Sequence, residues 1–499
     1  MSTAAPVEDV RDEHATEAPL EHLDVLIIGA GLSGIGAAHH LQTKLPHKSY
    51  AILEARDTIG GTWDLFRYPG VRSDSDMHTL GYRFRPWTAA KAIADGPAIL
   101  EYVSGTAREA GIDRRIRFGH RVTQLSWSSD EARWTVTAER TGTGETVRLT
   151  AGFVLSCSGY YRYDEGYSPH FPGTERFRGR IVHPQHWPED LDYAGRRVVV
   201  IGSGATAVTL VPAMTDEAAH VTMLQRSPSY ILAVPETDPA ASALAKVLPK
   251  RLLYPVVRWK NVALATLVYR ASRRWPRRVA RLIRAGVRRR LPDGYDVDRH
   301  FRPTYDPWDQ RMCLVPNGDL FEAISAGRAS VVTDHIETFT ERGIRLRSGE
   351  ELEADVVVTA TGLNLLPLGG VEFVVDGRTV ELPETMAYKS MMLSGLPNYA
   401  FLLGYTNASW TLKADLTVEY VCRLLRHMDR RGYRIAVPER AADVEEEPFL
   451  DFQAGYVMRS LDQFPKQGSK APWRVHQNYA RDLVALRHGP VTDGMRFAA

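Results

Sequence analysis

Two glycine-rich turns carry the most legible chemistry in this chain of 499 residues. The first is Gly29-Ala30-Gly31-Leu32-Ser33-Gly34 and the second Gly202-Ser203-Gly204-Ala205-Thr206-Ala207, each placed directly after a short apolar run. In such a turn the first glycine permits the tight bend and the second lets backbone approach a diphosphate. The third, or the alanine in its place, lets the following helix pack on the strand. Free N–H groups and the helix dipole then favour the negative charge. The two turns lead to opposite charges. Glu54 stands 20 residues beyond Gly34, at the end of a second apolar run, and Arg226 stands 19 residues beyond Ala207. A glutamate there accepts hydrogen bonds from both ribose hydroxyls and repels a 2′-phosphate, whereas an arginine forms a bidentate pair with one. The first turn is therefore expected to hold FAD or NAD, and the contrast between the two assigns FAD to the first and NADPH to the second.

Between the turns lies FRGRIVHPQHWP, in which Phe177, Gly179, His183 and Trp187 follow the spacing Phe-x-Gly-x-x-x-His-x-x-x-Trp. A solitary histidine is ordinarily a packed structural group, and only that spacing singles out His183. Beyond Glu54, the run Gly60-Gly61-Thr62-Trp63 reads from its residues as an ordinary loop with one packed tryptophan, and it resembles the glycine pair that follows this acid in FAD-dependent monooxygenases. Pro69-Gly70 marks a turn that places Arg72 and Asp74 on a loop over the same crevice, where site residues are usually found. Cys157, Cys313 and Cys422 are far apart and form no dithiol or metal-ligand pattern, and His39-His40 is expected simply to pack. Cysteine usage points to a reducing cytoplasm.

These residues need a scaffold of strands and helices. Asp24–Ile28, Ser49–Leu53, 197–201 and Val221–Leu224 read as buried parallel strands, with a helix over Ile35–Leu45. From Arg115 to Val154 the alternating pattern predicts antiparallel strands forming an insert that covers the first sheet. Phe153–Gly159 ends in glycine and Ala354–Thr359 is followed by Ala360-Thr361-Gly362, as expected where a chain re-enters a nucleotide-binding domain. The fold class is α/β, with two Rossmann-like dinucleotide-binding domains and a helical insertion. The expected division is a disordered acidic tail over 1–21, a FAD-binding part over 22–165, and an NADP-binding part over 166–232. A basic helical insertion over 233–310 comes next, then the second NADP-binding part over 311–362 and the second FAD-binding part with the C-terminal region over 363–499.

Apolar and charged fractions of 44% and 24% are those of an ordinary globular protein, and a net charge of +2 gives no reason to expect nucleic acid as a partner. Basic charge is concentrated instead, since Lys246–Arg290 holds fifteen Lys or Arg and no acid. Apolar residues at helical spacing among them make this segment read as basic amphipathic helices. A solvated polar face, or one that also attracts anionic NADPH, is the expectation; the other reading is weak contact with an anionic membrane surface. No run reaches the roughly 18 apolar residues of a membrane span.

From His22 onward the chain resembles the bacterial Baeyer–Villiger monooxygenases, most closely the ethionamide-activating subgroup. The central Phe177–Trp187 motif between two Rossmann turns carries the resemblance, with FRYPGVRSDSDM, GYYRYDEGYSPHF, HPQHWPEDLDY, YDPWDQRMCLVPNGDLF and GYTNASWTLKADL. It implies that NADPH reduces FAD, that O2 then forms a flavin peroxide, and that this attacks a ketone carbonyl to give an ester or lactone. By the same resemblance Arg311 stabilises the developing negative charge, Asp74 positions Arg311, and His183 acts in the linker coupling the domains. Sulfides are implied as secondary substrates. Many relatives carry lysine just before the arginine, where this chain has Gln310. The alternatives are a flavin monooxygenase acting mainly on nitrogen or sulfur and, from another class, a non-catalytic NADP-binding module at a membrane.

Overall fold

The computed structural model describes residues 19–450 and 454–499. Most of the tail expected to be disordered thus lies outside the described residues, but Glu21 is held by the Arg117 guanidinium at 2.5 and 2.7 Å. The strand His22–Ile28 sits inside a nine-stranded sheet, parallel to Tyr50–Leu53 on one side and to Thr146–Ser156 on the other. Val25, Leu26 and Ile27 are wholly buried. Both faces of a parallel strand are covered, so its sequence is a continuous apolar run.

The expected antiparallel insert is not a separate cover. His120–Ser128, Arg133–Arg140 and Thr146–Ser156 continue the same sheet, and the last of these serves both halves. Its early residues pair antiparallel with Arg133–Arg140 and its later ones parallel with His22–Ile28. Eleven residues are long enough to do both. The Tyr399–Phe401 strand returns from far along the chain to pair with the same strand. The first helix runs Leu32–Lys44, three residues earlier than its apolar pattern suggests, because it starts directly at Gly31 of the turn. It packs against Trp410–Arg431.

A second, five-stranded parallel sheet has the order Ala329–Thr333, His220–Gln225, Arg197–Ile201, Val356–Thr359, Arg180–Val182. Its edge strand belongs to the Phe177–Trp187 motif. Gly179 must be glycine there, since a Cβ would overlap the Asp355 carbonyl oxygen and meet the Phe177 ring. Between the sheets, Tyr161–Gly166 and Leu363–Leu365 pair antiparallel, so the chain's two crossings form one ribbon.

The basic segment forms helices Lys250–Arg274 and Pro276–Arg288. The longer one is fastened through Arg258, buried at 5% exposure, whose Nη1 donates to the carbonyl oxygens of His78, Thr79 and Gly81 at 2.7, 3.1 and 2.9 Å. Asn261 Nδ2 adds a bond to Asp76 at 2.8 Å. Among the described residues no helix is long and apolar enough to cross a membrane.

Candidate active site

Both glycine turns open onto one cleft of about 1110 Å³. In the first, Gly29 has φ +100°, and a Cβ on Gly34 would overlap the Gly29 carbonyl oxygen. These glycines are required by the protein itself. Glu54 does more than its spacing announces. Its Oε2 accepts from the Ala30 amide at 2.6 Å and its Oε1 from the Arg56 amide at 2.9 Å, so it pins the turn that precedes it. Burial raises its pKa, against the pull of these bonds and of the Arg56 charge. Gly60 and Gly61 have φ +128° and +56°, and the Gly60 amide donates to Ala30 O at 3.2 Å. Thr62 Oγ1 and Tyr163 OH are bonded at 3.1 Å, Ser33 Oγ accepts from Trp410 Nε1 at 2.7 Å, and Trp63 lines the wall.

In the second turn Gly202 has φ +138° and lies against Ala360. Gly204 is different. Its φ is −81°, and nothing lies within 4 Å of where a Cβ would stand. Gly31 is similar, with φ −77° and only ordinary contacts. Neither residue caps its helix with a side chain, so the first amides of both helices keep their donors. This is the arrangement two dinucleotide diphosphates require, and the residues present fit both groups. Ala205 and Thr206 open the second helix on the cleft wall. Arg226 stands exposed on the same wall with no ion-pair partner among the described residues, and Gln310 is also on this wall.

Where the two halves meet, Arg311 Nη2 lies 2.6 Å from Asp74 Oδ2. The loop bearing Asp74 and the loop before Cys313–Pro316 are 237 positions apart in the chain, yet the pair is formed. Burial disfavours the Arg311 charge, but Asp74 and the hydroxyls of Tyr456, Tyr160 and Tyr161 outweigh it and leave its pKa raised. The guanidinium is therefore a permanent cation. Spacing in the sequence does not reveal the aromatic wall around it. Tyr160 stacks on Trp410 with centroids 5.5 Å apart, and its hydroxyl bonds Tyr161 at 3.2 Å. The doublet Tyr160-Tyr161 after Gly159 is the one local signal for that wall. Cys313, buried beside Arg311, has its thiol pushed up to about 12 by burial and is no nucleophile.

His183 lies away from this pair, at the ribbon. Its Nδ1 accepts from the Gln185 amide at 3.2 Å, so Nε2 carries the proton and donates to the Gly362 carbonyl at 3.2 Å. A Cβ on Gly166 would overlap the imidazole. The ring thus touches both crossings of the chain at once. Burial lowers its pKa, so it is neutral at pH 7.

Comparison with known proteins identifies the family. A flavin-binding monooxygenase-like family model matches residues 93–253, and a NAD(P)-binding Rossmann-like one matches residues 27–94. The FAD-containing monooxygenase EthA of Mycobacterium tuberculosis is 60% identical over 96% of this chain and 98% of its own length. The protein of the same name from Mycolicibacterium smegmatis is 56% identical over 95% and 96%. A solved steroid monooxygenase bound to NADP shares the fold at a TM-score of 0.75 and 23% identity, covering 95% of this chain and 99% of its own. OTEMO in complex with FAD and NADP gives 0.74 at 20% identity, with coverages of 95% and 99%. With 60% identity along nearly its whole length, the chain belongs to the EthA-like FAD-containing monooxygenases.

Proposed function

We propose that this chain is an NADPH-dependent Baeyer–Villiger monooxygenase. It converts a ketone, O2, NADPH and a proton to an ester or lactone, NADP⁺ and water, with sulfides as secondary substrates. The observation carrying this reading is the Arg311–Asp74 pair, set where two dinucleotide turns open on one cleft. Bound FAD supplies the acceptor for the NADPH hydride and, when reduced, the site at which O2 is activated.

The chain's own residues do the rest. Gly29, Gly31, Ser33, Gly34, Glu54, Gly61, Thr62 and Trp63 hold FAD, while Gly202, Gly204, Ala205, Thr206 and Arg226 hold NADPH. Arg311 sets a fixed positive charge where negative charge develops on oxygen and on the ketone adduct. A donor already in place requires no reorganisation during the reaction. Asp74 is the positioning residue for that guanidinium. His183 couples the two nucleotide units through the ribbon. The proposed division places 22–165 and 363–499 with FAD, and 166–232 and 311–362 with NADPH, the helices of 233–310 forming the insertion.

The test is product analysis with ¹⁸O2 over cyclic, linear, aromatic and steroidal ketones. The expected product is an ester carrying one ¹⁸O atom. Oxidised amines or sulfides, with every ketone untouched, would overturn the Baeyer–Villiger reading in favour of a nitrogen- or sulfur-directed enzyme.

A further inference from the structure

Helix Lys250–Arg274 has two faces with opposite duties. One is fastened to the protein by the buried Arg258 and by Asn261. The other carries Leu252, Val256, Trp259, Ala263 and Leu267, at separations of four, three, four and four residues. Such spacing places them in one stripe along the helix. The four large ones are between 43% and 65% exposed. The same stripe continues into Arg270 and Arg274, both exposed. The next helix adds Leu282, 72% exposed, among Arg277, Arg278 and Arg281. These five arginines have no acidic partner among the described residues, in contrast with Arg284 and Arg288, which pair with Asp298. Among the described residues, most of the large apolar side chains that are exposed lie on this one segment.

We infer that this helix pair is a docking surface for an anionic lipid bilayer, lying in the headgroup plane without crossing it. Contiguous exposed apolar surface beside polar groups marks an interaction site. Leucine, valine and tryptophan along one stripe, with arginine at its end, are the chemistry that inserts shallowly and meets lipid phosphates. Charge complementarity selects the occupant. A second copy of this chain would set unpaired arginines against arginines, whereas an anionic surface neutralises them.

The holoenzyme should float with vesicles of about 30% phosphatidylglycerol in phosphatidylcholine at low salt, and the bound fraction should fall at least tenfold, roughly, at 0.5 M salt, where surface attraction is screened. Pure phosphatidylcholine vesicles should leave it behind. The emission of Trp259, taken as the difference between wild type and Trp259→Phe, should shift to the blue on the anionic vesicles only. The triple variant Leu252→Gln, Val256→Gln, Leu267→Gln and the double variant Arg270→Glu, Arg274→Glu should each lose flotation while keeping FAD and vesicle-free NADPH oxidation. Absence of flotation with anionic vesicles, or undiminished flotation of the triple variant, overturns the inference. So does a wild-type dimer that the triple variant dissociates in the absence of vesicle binding, which would make a second copy the occupant.

Discussion

Gly204 and Gly34 show that a chain keeps glycine for two different reasons. At Gly34 the protein's own carbonyl forbids a Cβ, whereas at Gly204 nothing in the protein does. Gly204→Ala should therefore leave stability within about 1 kcal/mol of wild type, the removal of backbone freedom even helping slightly. It should weaken NADPH roughly ten- to a hundredfold, the worth of a hydrogen bond to a charged group. Thermal unfolding set beside the KM for NADPH checks both halves; a large stability loss would return the glycine to a structural role. Arg226→Ala tests the proposed contact with the 2′-phosphate. Its KM for NADPH should rise by a similar ten- to hundredfold, roughly, with that for NADH barely changed. Equal losses for the two coenzymes would mean that Arg226 does not read the 2′-phosphate. Such residues are legible in the sequence because their spacing from a turn is local. Glu54 is legible only in part, since its bonds to Ala30 and Arg56 arise from the folded loop.

The two-stranded ribbon of Tyr161–Gly166 and Leu363–Leu365 is the element that ties the halves together, and His183 is wedged against both strands' ends. Gly166→Ala should overpack this contact at a cost of about 1–3 kcal/mol, and should lower ester formed per NADPH consumed more than it lowers NADPH oxidation. Unchanged coupling would remove His183 from the linker role. The pH dependence has a defined sign. The imidazole is more acidic folded than its ordinary 6.5 because it is buried. Below 6.5 the unfolded chain therefore binds the proton more readily, and stability falls as pH drops from that value through the lower folded one. His183→Asn should flatten this part of the stability profile relative to wild type, measured as midpoint against pH between about 7 and 5. An identical slope in both proteins would show that the ring's protonation is not linked to folding. The motif around His183 is visible in the sequence, but the ribbon is not. Its strands are six and three residues long and lie some two hundred positions apart, so no local periodicity announces them. The antiparallel strands after Arg115 are visible as strands; their continuity with the first sheet depends on the length of Thr146–Ser156, whose two halves take different partners.

Across the whole molecule, the cleft exists because four distant stretches converge on it: two glycine turns, the Asp74 loop and the loop bearing Arg311. The turns and the basic helices can be read from residues alone. Pairing of Arg311 with Asp74 can be drawn only from family resemblance, and of the wall of Tyr160, Tyr161, Trp410 and Tyr456 only the Tyr160-Tyr161 doublet shows locally. Ester formation is assigned to the charge of Arg311, and Arg311→Ala tests that assignment most directly. The variant should retain FAD and still accept a hydride from NADPH, because reduction needs no stabiliser for negative charge on oxygen. Loss of one such donor costs about 2.7–4 kcal/mol in comparable oxyanion sites, so ester formation should fall roughly a hundred- to a thousandfold. Asp74→Ala should show a smaller defect of the same kind. The measurement is stopped-flow absorbance of flavin reduction and reoxidation, with ester and hydrogen peroxide quantified in parallel. Normal reduction, lost ester and peroxide release are the predicted result; an Arg311→Ala enzyme that forms ester at the wild-type rate would contradict the role assigned to this charge.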